Sequence, residues 1–67
     1  MSESLAEALP REIKRCQELS EEYRKIGSSG VFARTMINRD IQEAVEAQAN
    51  GDVVQMVMSY KKLLDCN

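Results

Sequence analysis

The residues in this chain best suited to chemistry are two cysteines, Cys16 and Cys66, in a sequence that contains no histidine. A structural zinc site needs four ligands, so two thiolates cannot complete one, and the two lie fifty residues apart rather than in a CxxC motif. In an up-down-up bundle Cys66 would lie level with the far end of the first helix, roughly 15 Å from Cys16 at about 1.5 Å per residue. The sequence therefore predicts two free thiols, no metal site and no disulfide.

Cys16 has two interpretations, a reactive thiol or a small buried apolar residue, and the absence of histidine favours the second. General acid–base catalysis would then fall to carboxylates, lysine, tyrosine or cysteine, and their spacing places no pair in a pocket-like setting. The turn from Gly27 to Gly30 could be taken for a phosphate-binding loop, but no strand precedes it and the Walker lysine is missing. The sequence thus predicts a protein that is not an enzyme, binds no cofactor and has no small-molecule substrate.

Two charged residues fall within the apolar arc of the predicted second helix, Asp40 near its middle and Arg34 at its edge. Asp40 is either a site carboxylate or interface anchor, or a boundary residue paired with a basic side chain of the first helix. The second interpretation is favoured because a buried charge is costly unless it is paired.

Length and composition limit the classes of protein to consider. Sixty-seven residues form one domain at most, and a core of this size supplies only about 3–5 kcal/mol, so self-association is expected to add stability. Nine basic and eleven acidic side chains leave a net charge of −2, which makes nucleic-acid binding unlikely on charge alone. No secretory signal or long apolar run is present, so we expect a cytoplasmic protein that does not enter a membrane.

Apolar periodicity and turn residues predict three helices, near residues 10 to 26, 31 to 50 and 52 to 64. The predicted fold is an all-α three-helix bundle, in which the first two helices form an antiparallel hairpin and a shorter third helix follows. Pro10 is expected to open the first helix at its N1 position, although Ser4 to Glu7 matches a capping box, so residues 1 to 9 are predicted to be flexible and residues 10 to 66 to form the domain. Gly51 is expected to end the second helix in a left-handed conformation.

The apolar stripes predict which helix faces are buried. They are expected to comprise Ile13, Cys16, Leu19, Tyr23 and Ile26 in the first helix, Ala33, Ile37, Ile41, Ala44 and Gln48 in the second, and Val53, Val57, Tyr60 and Leu64 in the third, flanked by Met56 and Leu63.

The third helix is apolar over more of its circumference than one packing face requires, because Val54 and Met58 lie beyond Val57. These residues either broaden the core, as methionine at helical spacing more often does, or stay exposed and bind a partner. Phe32 lies off the stripe of its own helix; it either folds back onto Ile26 or extends a binding patch.

A helix-turn-helix motif also begins with a helix, a glycine turn and a second helix. In that interpretation Arg34 and Arg39 would lie on the recognition helix. Against this alternative, Glu43 and Glu46 on the exposed side would face phosphates.

With these segments laid out, the chain resembles a set of small bacterial proteins of unknown function. The resemblance covers about Leu9 to Cys66 and rests on LPREIKRCQELSEEYRKIG, GVFARTMINRDI and EAQANGDVVQMVMSYKKL. It implies a bacterial, cytoplasmic protein and no catalytic or binding residue.

The function that we predict is a small non-enzymatic interaction or regulatory domain. It would bind a protein partner, or a second copy of itself, through a helical apolar surface that includes Phe32, Val54 and Met58. A nucleic-acid-binding regulator that uses Arg34 and Arg39 is the alternative.

Overall fold

A computed structural model describes residues 3 to 67 and shows three α-helices joined by short connections. Helix α1 spans Leu5–Lys25, α2 spans Val31–Asn50 and α3 spans Val53–Leu64, and a 3-10 turn at Gly27–Gly30 links α1 to α2. No strand occurs in this part of the chain. The predicted all-α three-helix bundle is confirmed.

Polar contacts between the helices fix their relative directions. The Ser20 hydroxyl of α1 lies 2.6 Å from Oδ1 of Asn38 in α2, and the short turn between the two helices makes them an antiparallel hairpin. Lys62 Nζ of α3 lies 2.8 Å from Oε2 of Glu43 in α2, across another short connection. Helix α3 therefore runs antiparallel to α2 and parallel to α1, and it contacts both.

The junction between α2 and α3 is built as its sequence predicts. Gly51 takes the left-handed conformation, with φ 64°, and its N–H donates to the carbonyl of Gln48 at 3.2 Å. The N–H of Asp52 donates to the carbonyl of Ala47 at 3.1 Å, which completes a Schellman motif. Asp52 then caps α3 by accepting from the N–H of Gln55 at 3.1 Å, so the helix starts one residue later than predicted.

Helix α1 begins at Leu5 and not, as predicted, at Pro10. Ser4 is the N-cap residue: its hydroxyl oxygen accepts from the N–H of Glu7 at 3.3 Å and donates to Glu7 Oε1 at 2.9 Å. The segment predicted to be flexible, residues 1 to 9, is thus helical from Leu5 onward. Its first two residues lie outside the described part of the chain.

Pro10 is tolerated inside α1 because its cost is offset locally. The missing N–H leaves the carbonyl of Ala6 without its usual helical partner, but both residues are exposed, so water can reach that oxygen. The same turn buries Ala8 and Leu9, which are 5% and 0% exposed. Full burial of a leucine contributes about 1.5–3 kcal/mol, and an N-cap about 1 kcal/mol, against a proline cost of about 3 kcal/mol.

One apolar cluster lies between the three helices. Its buried members are Leu9, Ile13 and Cys16 of α1, Ile37, Ile41 and Ala44 of α2, and Leu63 of α3. The predicted stripe of α2 is therefore confirmed at its centre, where Ala44 has no exposed surface and its small side chain lets a neighbouring helix approach closely. On α1 the predicted stripe extends too far, since Ile26 is 58% exposed.

The predicted core face of α3 is correct only in part: Leu63 is buried in the cluster and Met56 and Tyr60 pack against it, but the other three predicted residues are exposed. Val53, Val57 and Leu64 are 64%, 38% and 48% exposed, whereas Leu63 and Ser59 are 0% and 3% exposed. At about 100° per residue, the buried face is rotated by roughly a quarter turn from the predicted one. The small Ser59 allows the helix to pack closely on this side, and the apolar residues of the predicted stripe are left facing outward.

Candidate functional site

The largest group of exposed apolar side chains on any one helix lies on α3. Its members, which we call the α3 outer face, are Val53, Val54, Val57, Met58 and Leu64. Their exposed fractions range from 38% for Val57 to 68% for Val54. Buried and exposed residues are thus both apolar on this helix, and that is why periodicity alone could not assign its core side.

Helical geometry brings these five residues together. At about 100° per residue, they fall within an arc of roughly 140°, and about 16 Å of helix axis separates the first from the last. Lys61 lies within the same arc and is exposed. The face is held in place from behind by Leu63, which is fully buried against α1 and α2, and from its N-terminus by the Asp52 cap. The result is a fixed, ridge-like surface rather than a pocket.

The structure places the three predicted partner-binding residues on two elements. Val54 and Met58 lie one turn apart on the α3 outer face, 68% and 49% exposed, so the alternative in which they broaden the core is wrong. Phe32 lies in the first turn of α2 and is 78% exposed. A side chain folded back onto Ile26 would be covered, so that interpretation is also wrong, and Phe32 does not share the helix face of the other two.

The two cysteines lie side by side, which the sequence did not predict. The thiol of Cys16 is 3.5 Å from the carbonyl oxygen of Leu63, and the backbone N–H of Cys66 donates to that same oxygen at 3.1 Å. The predicted separation of about 15 Å placed Cys66 level with the far end of the first helix. Because the twenty residues of α2 return the chain to the level of the first turns of α1, α3 runs beside the first half of α1 and Cys66 reaches Cys16. Both thiols are free, as predicted.

Burial shifts both thiols toward the protonated form. It raises the pKa of Cys16, whose side chain is fully covered, against a smaller lowering effect of the Arg15 guanidinium. Burial, followed by the neighbouring Cys16 and Asp40, raises the pKa of Cys66 to about 11. The reactive-thiol interpretation of Cys16 gains no support from these shifts, since the thiolate is the nucleophile.

Asp40 is half-buried at the edge of the core, as the favoured interpretation expects, but it is not paired with a basic side chain of α1, so that part of the interpretation is wrong. Its Oδ2 atom lies 3.8 Å from the thiol of Cys66, and its Oδ1 atom lies 3.7 Å from Nη2 of Arg39 on the same helix. Within residues 3 to 67, Oδ1 has no hydrogen-bond partner, and neither does Nε of the half-buried Arg34.

The basic residues of the nucleic-acid alternative do not form one surface. Arg34 and Arg39 are five positions apart, so their directions differ by roughly 140° around α2. Arg34 is half-buried, and Arg39 is exposed beside Asp40. Glu43, farther along the helix, is paired with Lys62 of α3, which further reduces the free positive charge near this surface. The alternative stays a prediction that this geometry does not favour.

A shallow surface groove lies where α2 meets α3. It is lined by Glu43, Glu46, Ala47, Asn50, Asp52 and Gln55. Among the described residues, no group of three potential metal ligands is placed to hold an ion, and no helix is sufficiently long and apolar to span a bilayer.

Comparison with known proteins found no matching family model, curated protein or solved structure. The resemblance to small bacterial proteins accordingly stays a prediction, and the assignment of function depends on the surfaces of the molecule.

Proposed function

We propose that this chain is a small, non-enzymatic, cytoplasmic protein-interaction domain that binds through the α3 outer face, and that the partner is a second copy of the chain. The observation that carries the proposal is the concentration of five exposed apolar side chains on a twelve-residue helix. Exposed apolar patches of this kind mark sites of association more often than isolated surface residues do.

The small core supports self-association. In residues 3 to 67 only nine apolar side chains are buried, and three of them, Ala8, Ala44 and Ala47, contribute little area. A domain of this size buries only about 60% of the surface of its unfolded chain. A second copy would cover the α3 outer face without a change of fold, and its binding would add to the stability of each protomer.

A two-fold arrangement suits the shape of this surface. In a two-fold dimer the same patch is used on both protomers, so a single apolar helix face is sufficient to form the interface. If the α3 helices of two protomers packed antiparallel, Val57 and Met58 of each would lie near the two-fold axis. Val53 of one protomer would then lie near Leu64 of the other. Lys61 would lie at the edge, where its long side chain can reach water while its methylene groups stay in contact.

Sedimentation equilibrium over a wide concentration range tests this proposal. The wild-type chain is expected to dimerise reversibly, and Met58→Glu is expected to be monomeric at every concentration because it places a charge in the apolar interface. Gln17→Glu is the matched control: it adds the same charge at an exposed position of α1 and should leave the dimer unchanged. All runs are repeated with reductant, so that a dimer linked through cysteines is recognised.

Two outcomes would contradict the proposal. A wild-type chain that stays monomeric up to millimolar concentration would exclude a second copy as the partner. A Met58→Glu variant that loses its helical circular dichroism would show that Met58 supports the fold rather than an interface.

A further inference from the structure

The cysteine pair is the chemical feature that the proposed interaction function does not use. Three contacts hold the pair together across the α1–α3 interface. Arg15 Nη2 lies 3.7 Å from the sulfur of Cys16, Arg15 Nη1 lies 3.0 Å from the carbonyl oxygen of Cys66, and the carbonyl of Leu63 is shared by both cysteines. Cys66 also packs against the apolar cluster that contains Cys16.

We propose that Cys16 and Cys66 form a reversible intramolecular disulfide when the protein meets a low-molecular-weight disulfide such as oxidised glutathione. The bond would link Cys66, just beyond the end of α3, to Cys16 in the middle of α1, fifty positions away in the sequence. Linking such distant residues restricts the unfolded chain strongly, so the oxidised form is more stable than the reduced form.

The difference in burial between the two cysteines sets the order of the reaction. Cys66 is half-buried, whereas Cys16 has no exposed surface, so Cys66 meets the oxidant first. The Cys66 thiol loses its proton to solvent, its sulfur attacks one sulfur of oxidised glutathione, and one molecule of glutathione leaves.

Cys16 completes the reaction. Its thiol loses a proton, its sulfur attacks the sulfur of Cys66, and the second molecule of glutathione leaves. Two protein thiols are thereby oxidised by two electrons, and one glutathione disulfide is reduced to two thiols.

The surroundings of the pair make the first step slow at neutral pH. Burial, the neighbouring Cys16 and Asp40 of α2 disfavour the thiolate of Cys66, and Arg15 of α1 favours it. Glu12 of α1 acts on Cys16 in the same direction as Asp40. Because these groups set the pKa of Cys66 to about 11, the rate of oxidation should rise about tenfold per pH unit from pH 7 to 10. In a chain unfolded in urea, the rate of oxidation should stop rising above the ordinary cysteine pKa of about 8.5.

Intact-mass spectrometry of the full chain after equilibration with reduced and oxidised glutathione tests the proposal. The wild type is expected to lose both thiols together, to retain no glutathione and to stay a single chain. Cys16→Ala should keep glutathione attached to Cys66, because the second sulfur is absent. Cys66→Ser should stay unmodified, because Cys16 is covered. The melting temperature of the oxidised wild type should exceed that of the reduced form by more than about 10 °C.

The wild-type result decides the question even if a variant does not fold. Stable attachment of glutathione to Cys66 in the wild type, or cross-linked dimers in place of the internal bond, would show that the two sulfurs do not react with each other. An internal disulfide that forms only with loss of the helical circular dichroism spectrum, or without a rise in melting temperature, would also overturn the proposal.

Discussion

Arg15 joins the first and third helices by donating from Nη2 to the carbonyl oxygen of Leu63 at 2.6 Å. That carbonyl belongs to the last turn of α3, where the regular bonds from four residues ahead run out and the N–H of Cys66, three residues ahead, donates instead. The guanidinium therefore acts as a further C-terminal cap, supplied by another helix. Its Nε atom also donates to Glu12 at 2.8 Å, which explains how a carboxylate that is 6% exposed is accommodated next to the core.

We expect Arg15→Ala to lower the free energy of unfolding by about 1–3 kcal/mol, because it removes hydrogen bonds from a charged donor and weakens the compensation of the buried Glu12. Arg15→Lys should recover little of the lost stability. A single ammonium group cannot bond to both carbonyls and to Glu12 at once, as the planar guanidinium does. Urea denaturation measures the change. The control is Lys14→Ala at the neighbouring exposed position, and equal losses for the two variants would contradict the capping role of Arg15.

Replacing Pro10 tests where α1 begins. Inside the helix, proline lacks the N–H that would donate to Ala6, so Pro10→Ala should raise the free energy of unfolding by about 1–3 kcal/mol. If the helix began at Pro10, proline would occupy its favoured N1 position, and the same change would leave stability unchanged or lower it. Ser4→Ala, measured alongside by urea denaturation, should cost about 1 kcal/mol through loss of the cap.

Gly30 controls the sharp connection between α1 and α2. A Cβ atom at this position would overlap the carbonyl oxygen of Tyr23 and lie 2.9 Å from Cγ1 of Ile26. Gly30→Ala should therefore lower the free energy of unfolding by about 1–3 kcal/mol, because the turn must open to make room. Ser28→Ala in the same turn is the control and should have little effect. A melting temperature that is unchanged by Gly30→Ala would show that residue 30 lies farther from the end of α1 than these contacts indicate.

Features that depend on neighbouring residues could be predicted from the sequence, as the α2–α3 junction shows. Gly51 and Asp52 determine the end of one helix and the start of the next through backbone contacts within five residues, so the pattern of residue types was sufficient. The start of α1 was missed because a local rule about Pro10 was given more weight than the cap at Ser4 and the burial of Leu9, which depends on the rest of the bundle.

The candidate site needed tertiary information. Val54 and Met58 could be identified as apolar residues in excess of one packing face, but which side of α3 packs inward depends on how closely Ser59 and Leu63 approach α1 and α2. The cysteine pair was missed for a related reason, since the level at which α3 lies beside α1 follows from the length of α2 and from how tightly the two connections pack.

Two adjacent leucines of α3 test this orientation directly. Leu63 is fully buried and Leu64 is 48% exposed, although both have the same side chain and lie in the same helical turn. Leu63→Ala should cost about 2–5 kcal/mol through lost burial and the cavity left behind, whereas Leu64→Ala should cost less than about 1 kcal/mol in the monomer. Urea denaturation of both variants in the Met58→Glu background, which removes any contribution from association, measures the difference. If the predicted stripe formed the core, Leu64→Ala would lower the free energy of unfolding more than Leu63→Ala. That result would place the α3 outer face inside the bundle, and the interaction proposal would lose its binding surface.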